Sequence, residues 1–429
     1  MIKSGELLKR YNLQNGPARF RAVNSEIKPF EIVNEEGCLE FEKLMLSMHL
    51  LDKYASDEKQ LCFETCLKSE IDNVVEEAEN LYSFLTCRKL IIKALYQAPE
   101  GKMAQKRLTP INQTISCGAP CLFSGGLDSA AGAIFLNNKA FSPTLCHTST
   151  CNITLGKVLS LHLMSPFSQL PLIITDMRNE AADSTSGKTR GLLFLSNAIT
   201  LASSLGHKEV FFAENGPLMI NPPVSPLADP TKNAHPYLIG AMERIFNTIT
   251  GSRIKINAIF KDQTKSEVVA KVSHKGIIDY TWSCFRVQCQ SHMCGLCYAC
   301  LVRRLSLLAL GYEEPPDAYE FNPFGLDRAK LGGVALQDLD ILHDGILFFE
   351  RMLKKENITE IDLARVPEGF FKDPSELLHR FSLDMFLGIK KLLSSTQIGT
   401  LGKFASEVMR EIPDSYLSER EEELKSDVE

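Results

Sequence analysis

The sequence predicts an α/β fold organised on a doubly wound parallel sheet, and three observations lead there. From about Gly118 to Tyr312, short apolar runs alternate with amphipathic stretches, the pattern of strands covered by helices. One such run, Pro120 to Phe123, enters the turn Ser124-Gly125-Gly126-Leu127-Asp128-Ser129. A helical face of Leu127, Ala130, Ala131, Ile134 and Phe135 then leaves it. Two glycines give the backbone conformations closed to other residues and let an anion approach without meeting a Cβ. The helix start adds unpaired N–H groups and a positive dipole end, so phosphate is the expected guest. The alternative is a tight turn in which Ser124 or Asp128 only caps the helix.

The remaining strands are expected at Thr144 to Thr148, Pro171 to Asp176, Val210 to Glu214 and Lys255 to Phe260. Helices are expected at Leu127 to Asn137, Leu155 to Met164, Gly191 to Leu205, Pro236 to Thr248 and Lys265 to His274. Open parallel sheets take ligands at the carboxyl ends of their strands, and the glycine turn lies at one such end. Prolines 222, 223, 226, 230 and 236 make 221–236 an extended loop, read either as a cover over substrate or as a rigid connection.

The chain of 429 residues is too long for one core. Three regions are expected: 1–117, mixed α/β; 118–312, the nucleotide-binding domain; and 313–429, helical. In the first, Leu39 to Tyr54 has a helix-like apolar pattern and Ile71 to Tyr96 continues it, with Glu76, Glu77 and Glu79 on a solvated face. Arg19 and Arg21 around Phe20 suggest a strand. In the last, helical patterns run Leu336 to Lys355, Pro374 to Leu393 and Gly402 to Arg410, and the charged run Ser418 to Lys425 is expected to be solvated or frayed.

A formal charge of −6 counts against non-specific gathering of nucleic acid. Without a membrane-length apolar run, or an apolar signal core at the N-terminus, the cytosol is the expected location. Thirteen cysteines are an odd number, and in a reducing compartment clustering points to metal rather than disulfides. Cys284, Cys294, Cys297 and Cys300 offer four thiolates to a tetrahedral, structural Zn2+, with Gly295 allowing the sharp turn between them. Cys289 is the spare thiol and His292 the possible replacement ligand.

The turn lacks the Gly-Lys-Ser/Thr ending of a Walker A loop. It resembles the Ser-Gly-Gly-x-Asp-Ser loop of the PP-loop ATP pyrophosphatases, an adenine nucleotide alpha hydrolase-like fold. With Trp282-Ser283-Cys284 and Cys294-Gly295-Leu296-Cys297-Tyr298-Ala299-Cys300-Leu301-Val302-Arg303 in view, the resemblance narrows to the 7-cyano-7-deazaguanine synthase (QueC-like) family. That family builds a nitrile from 7-carboxy-7-deazaguanine, ammonia and ATP. Its Arg-Asn-x-x-x-Leu-Ser segment is echoed at Arg190 to Ser196, with Gly191 in place of Asn, and its Ser/Thr-Lys-x-Glu helix start at Thr264 to Glu267. The family's Tyr-Gly-Gln is absent at Cys146 to Thr150, and Glu214-Asn215-Gly216 stands where its Tyr-Pro-Asp-Cys-Arg segment would follow.

The resemblance, a little under half the chain, implies ATP-dependent adenylation of a deazaguanine-type carboxylate, with Mg2+ bridging the phosphates. Phe123, Ser124, Gly125, Gly126, Leu127, Asp128 and Ser129 would hold the nucleotide, and Ser124, Asp128, Lys265 and Arg190 would carry the chemistry. Thr264 to Glu267 is equally a helix capping box, and Arg303 is a further candidate for phosphate or carboxylate. Long relatives with added terminal regions occur in anti-phage systems, including the Qat type, which implies partner proteins of a defence operon. Two other readings stand beside this one: a non-catalytic zinc scaffold that keeps the nucleotide fold, and a tRNA-modifying PP-loop enzyme.

Overall fold

The computed structural model describes residues 2–3, 20–22, 36–54, 60–65, 71–96, 117–177, 187–228, 231–272, 275–284, 286, 292–315, 317–330, 332–354, 363, 365–395 and 398–427. The described chain forms two compact units. The first comprises Met1–Ser124, Gly132–Ala213 and Thr231–Ile259, and the second Gly125–Ala131, Glu214–Pro230 and Phe260–Glu429.

The first unit holds the expected parallel sheet. Strands β5 (Pro120–Leu122), β6 (Thr144–Ser149), β7 (Leu172–Asp176), β8 (Glu209–Phe212) and β9 (Lys255–Ala258) run parallel in the order β7-β6-β5-β8-β9. The chain steps from β5 outward through β6 to β7, then returns to the other side of β5 for β8 and β9. That reversal puts the switch point of the sheet beside β5, the strand that feeds the glycine turn. Burial on both faces explains the continuous apolar runs, for β6 is buried along its whole length. Cys121 and Cys146 lie in this core, where burial pushes each thiol up to about 12.

Strand β2 (Phe20–Ala22), the strand expected around Phe20, adds an antiparallel edge on β7. A separate three-stranded parallel sheet joins β1 (Ile2–Lys3), β3 (Gln60–Thr65) and β4 (Ile91–Tyr96). Here one expectation fails. Helix Ile71–Thr86 does not continue to Tyr96: the Thr86 hydroxyl turns back to the Tyr82 carbonyl at 2.8 Å and accepts the Arg88 N–H. Cys87 takes a left-handed φ of 56°, and the chain re-emerges as β4 paired with β3. Of the three acidic residues expected on a solvated face, Glu77 pairs with Arg244 at 2.6 Å, and Glu79 accepts the Ile92 N–H of β4.

Helix Glu36–Tyr54 packs on helices Arg190–Ser204 and Pro236–Thr250. Its Glu42 is 1% exposed, and burial raises its carboxyl from the ordinary 4.5 to about 8, against the opposing charge of Lys43. The folded chain therefore keeps a proton that the unfolded chain releases. The stability this contributes is complete below about 4.5 and is lost as pH rises toward 8. Glu42→Gln should abolish that pH dependence and stabilise the protein at pH 8 by on the order of 3 kcal/mol, as read from urea unfolding at acid and alkaline pH.

The second unit is mostly helical, with helices Tyr298–Ala309, Gly333–Leu353, Pro374–Ser395, Thr400–Met409 and Asp414–Ser426. Helix Pro374–Ser395 is its hub and packs on the other four. A Cβ at Gly388 would meet the Leu305 carbonyl at 2.3 Å, so the hub and Tyr298–Ala309 approach at backbone distance. The charged run 418–425 is not frayed, because it lies inside helix Asp414–Ser426 with Leu417, Arg420 and Leu424 buried on one face. Helix Lys265–Ala270 is shorter than expected, and residues 273–274 lie outside the described set. Apart from residues 229–230, outside that set, 221–235 is without regular secondary structure, as its prolines require. No described helix is long and apolar enough to cross a membrane.

Candidate functional site

Phe123 ends the strand run as a buried anchor. Its N–H donates to the Cys146 carbonyl at 2.8 Å and its ring packs on Phe167 at 5.4 Å, so it holds the turn without presenting its side chain. Its carbonyl lies 3.0 Å from His147 Nδ1, and burial lowers that imidazole to about 4, keeping it neutral. Ser124 follows, exposed.

In the second unit the turn continues with Gly125 at φ 80°, a left-handed conformation that accounts for glycine there. Ser129 Oγ and the Ala130 N–H both donate to the Gly126 carbonyl, closing the first turn of helix Leu127–Asn138. Leu127 is buried and can serve a ligand only through its backbone. Asp128 is 7% exposed, and its Oδ2 accepts Lys265 Nζ at 2.7 Å and Asn215 Nδ2 at 3.1 Å. The other carboxylate oxygen, Oδ1, is buried without a hydrogen-bond partner. A buried oxygen of this kind is costly unless a ligand, ion or water completes it.

Glu214 lies beside this pair. Burial, followed by the charge and hydrogen bond of Asp128, raises its carboxyl well above the usual range, and Asn215 Nδ2 donates to it at 3.1 Å. The Lys265 ammonium thus faces both neighbouring carboxyl groups, bonding to Asp128 and partly offsetting the burial of Glu214. Oδ1 of Asp128 and the Glu214 carboxyl are the oxygens that could ligate a hard divalent cation. The sequence assigned no role to Glu214 or Asn215; the available signal was their position directly after a parallel strand of the sheet.

Lys265 is 4% exposed at the start of its helix, and the capping box is complete: Thr264 Oγ1 accepts the Glu267 N–H and Glu267 accepts the Thr264 N–H. The capping reading of Thr264 to Glu267 holds, and the same cap delivers Lys265 to Asp128. Arg303 belongs elsewhere. It is 1% exposed and donates to Glu314 at 2.9 Å, Thr281 at 2.7 Å, Ser283 at 3.3 Å and the Ile278 carbonyl at 2.8 Å. A guanidinium so fully engaged is a structural brace, not a ligand contact.

Arg190, in the first unit, opens its helix half-buried, with Nε 3.4 Å from the Gly187 carbonyl. Next to it, Gly191 donates its N–H to Asn233 Oδ1 at 2.8 Å, and Asn233 Nδ2 donates to the Gly187 carbonyl at 2.9 Å. A Cβ on Gly191 would meet the Asn233 carbonyl at 2.6 Å and Leu238 at 2.7 Å. The asparagine of the related segment has no room here. Gly191→Asn is expected to destabilise the chain by about 1–3 kcal/mol through overpacking, read as a lowered urea midpoint.

Cys284, Cys294, Cys297 and Cys300 are buried together with their sulfurs all within 4.8 Å of one another. Sγ to Sγ is 3.9 Å for Cys294 and Cys300 and 3.3 Å for Cys297 and Cys300, near the ~3.8 Å that tetrahedral Zn–S bonds impose. Hydrogen bonds from Cys294, Cys297 and Cys300 hold the Cys284 thiol well below its usual value. Gly295 sits at φ 73°, where a Cβ would meet the Phe321 carbonyl at 2.0 Å. These features fit a closed structural metal centre. Cys289 lies outside the described residues, and His292 bonds to the Asp317 carbonyl.

Trp282 joins the cluster to the turn. Its indole N–H donates to the Cys284 carbonyl and its backbone N–H to the Gly125 carbonyl, both at 2.9 Å.

Comparison with known proteins agrees with this geometry. Residues 147–311, which include Arg190, Lys265 and all four clustered cysteines, match the family model "Queuosine biosynthesis protein QueC". A 7-cyano-7-deazaguanine synthase from Stutzerimonas stutzeri (strain A1501) is 24% identical over 228 residues, 46% of this chain and 96% of the relative. One from Thiobacillus denitrificans (strain ATCC 25259 / T1) is 25% identical over 230 residues, 46% of this chain and 97% of the relative. The protein is thus a QueC-like long variant, similar to 7-cyano-7-deazaguanine synthases over rather less than half its length.

Proposed function

We propose that the protein uses ATP to activate the carboxylate of a 7-deazaguanine, or a close analogue, for nitrile, amide or conjugate formation. The observation that carries this reading is Asp128 in the first turn of the helix after the glycines, one oxygen fixed by Lys265 and Asn215, the other buried without a hydrogen-bond partner. The substrate oxygen would attack the α-phosphorus of ATP and pyrophosphate would leave. An amine nitrogen would then attack the acyl carbon and AMP would leave, giving an amide; for a nitrile, the amide oxygen would attack a second ATP, pyrophosphate would leave, and that oxygen would depart with AMP as the C≡N bond forms. N–H groups from Gly125 to Ser129 would take up charge on the departing phosphates, with Lys265 as the cationic partner.

Asp128 Oδ1 and Glu214 would hold Mg2+, which would supply positive charge to the phosphates. Zn2+ in the four-thiolate cluster would be structural, since no ligand position stays open. We place the nucleotide domain at about 118–312, between added N-terminal and helical regions, in a doubly wound PP-loop fold. Chain on both sides of the matched segment supports a further proposal, that the protein works with partner proteins in anti-phage defence in the cytoplasm.

The test is incubation with ATP, Mg2+, ammonia and 7-carboxy-7-deazaguanine, measuring AMP and pyrophosphate. Release of both that requires the deazaguanine supports the reading. Nucleotide binding without AMP formation would leave the scaffold reading in its place.

A further inference from the structure

The geometry points to Arg420, on the C-terminal helix Asp414–Ser426, as a positioning residue for Lys265. The helix that presents Lys265 spans only Lys265–Ala270, too short to set its own direction. Its start is instead held by a closed ring of charge. Arg420 donates through Nε to Asp384 Oδ1 at 2.7 Å and through Nη2 to Glu267 Oε1 at 2.6 Å. Asp384 Oδ2 accepts the Thr264 hydroxyl, and Glu267 Oε2 accepts the Thr264 N–H at 3.0 Å, which closes the ring. Arg380 adds a second guanidinium on Glu267.

All four ring members are buried: Thr264 and Asp384 at 0%, Arg420 at 3% and Glu267 at 5%. Capping a surface helix needs only Thr264 and Glu267. The extra buried arginine and aspartate make sense when the cap must stay fixed, because Lys265 is the next residue and its Nζ must meet one oxygen of Asp128. A planar guanidinium with one N–H fixed on each of two carboxylates defines an orientation that apolar packing alone would leave free. The helical tail is thereby part of the site's support.

The meaning of this positioning rests on the proposed nucleotide site, but its test reads Lys265 itself. Full-length wild type, Arg420→Ala and Arg420→Lys are acetylated with limiting acetic anhydride, and lysine peptides are quantified by mass spectrometry, with exposed Lys403 as the reference. Arg420→Ala should raise Lys265 reactivity, and lower the rate of AMP formation through kcat rather than KM, each by about 10–100-fold, as expected of a misplaced reacting group. A groove of ≈ 580 Å³ reaches Arg420 and Arg380, so millimolar guanidinium should enter and restore part of both. Arg420→Lys keeps the charge but cannot hold Asp384 and Glu267 together, and should show the same change to a smaller degree; it decides the matter if the alanine variant fails to fold.

Lys265 reactivity unchanged relative to Lys403 in the folded variants, or AMP formation unimpaired in them, overturns the inference. Wild type that forms no AMP while Lys265 still responds to Arg420 refutes the proposed activity and leaves the positioning intact.

Discussion

Cys297→Ser, or prolonged treatment with a strong chelator, is expected to empty the thiolate cluster and unfold the region around Trp282. The argument is thermodynamic. Four thiols with mutual distances within 4.8 Å form a site that fits a metal, and metal bound only to the folded arrangement would add its binding energy to folding. For structural zinc in small peptides that energy is about 10–16 kcal/mol, so even a partial share exceeds what one point substitution normally removes. Because the chain has a single tryptophan, in contact with the cluster and bonded to Cys284, its emission reports the event directly. Untreated protein should contain about one zinc per chain by metal analysis. Loss of zinc should accompany a red shift of Trp282 and a lowered melting temperature. A Cys297→Ser protein that kept its zinc and its emission would show that the sulfurs are merely neighbours.

Asp128→Asn and Lys265→Ala should each lower the rate of AMP formation by about 10²–10³-fold, the cost of losing one preorganised charge in a water-poor site. The double variant should be little worse than the stronger single one, because the two side chains share one ion pair of 2.7 Å with 5% and 9% side-chain exposure. Pyrophosphate release measured across the four proteins checks this. Fully multiplicative losses would mean that Asp128 and Lys265 act separately. Removing only Lys265 also leaves Asp128 buried without its cation, so nucleotide-free Lys265→Ala should be the least stable of the set.

Much of this was readable from local pattern. The five parallel strands, the helix after the glycine turn and the four-cysteine cluster follow from apolar spacing, glycine and cysteine placement, each a property of a few consecutive residues. What escaped was fixed by partners far away in sequence. Ile91 to Tyr96 has the apolar density of the helix before it, and only pairing with β3 makes it a strand. Arg420 looks like one more charge in an exposed run until Asp384, 36 residues back, and Glu267, 153 residues back, are seen to neutralise it. Arg303 likewise reads as a free cation because Glu314, Thr281 and Ile278 reach it from other elements. Glu214 had no recognisable motif around it; its raised carboxyl depends on burial and on Asp128, which the chain brings near from 86 residues upstream.

The thiols at the centre of the large sheet lend the molecule a clock. Cys121 and Cys146 are wholly enclosed and burial pushes each thiol up to about 12, so neither reacts while the strands stay paired. Alkylation at those two positions therefore times how often neighbouring strands part, whereas the sulfurs of Cys284, Cys294, Cys297 and Cys300 would register the loss of any ion they hold.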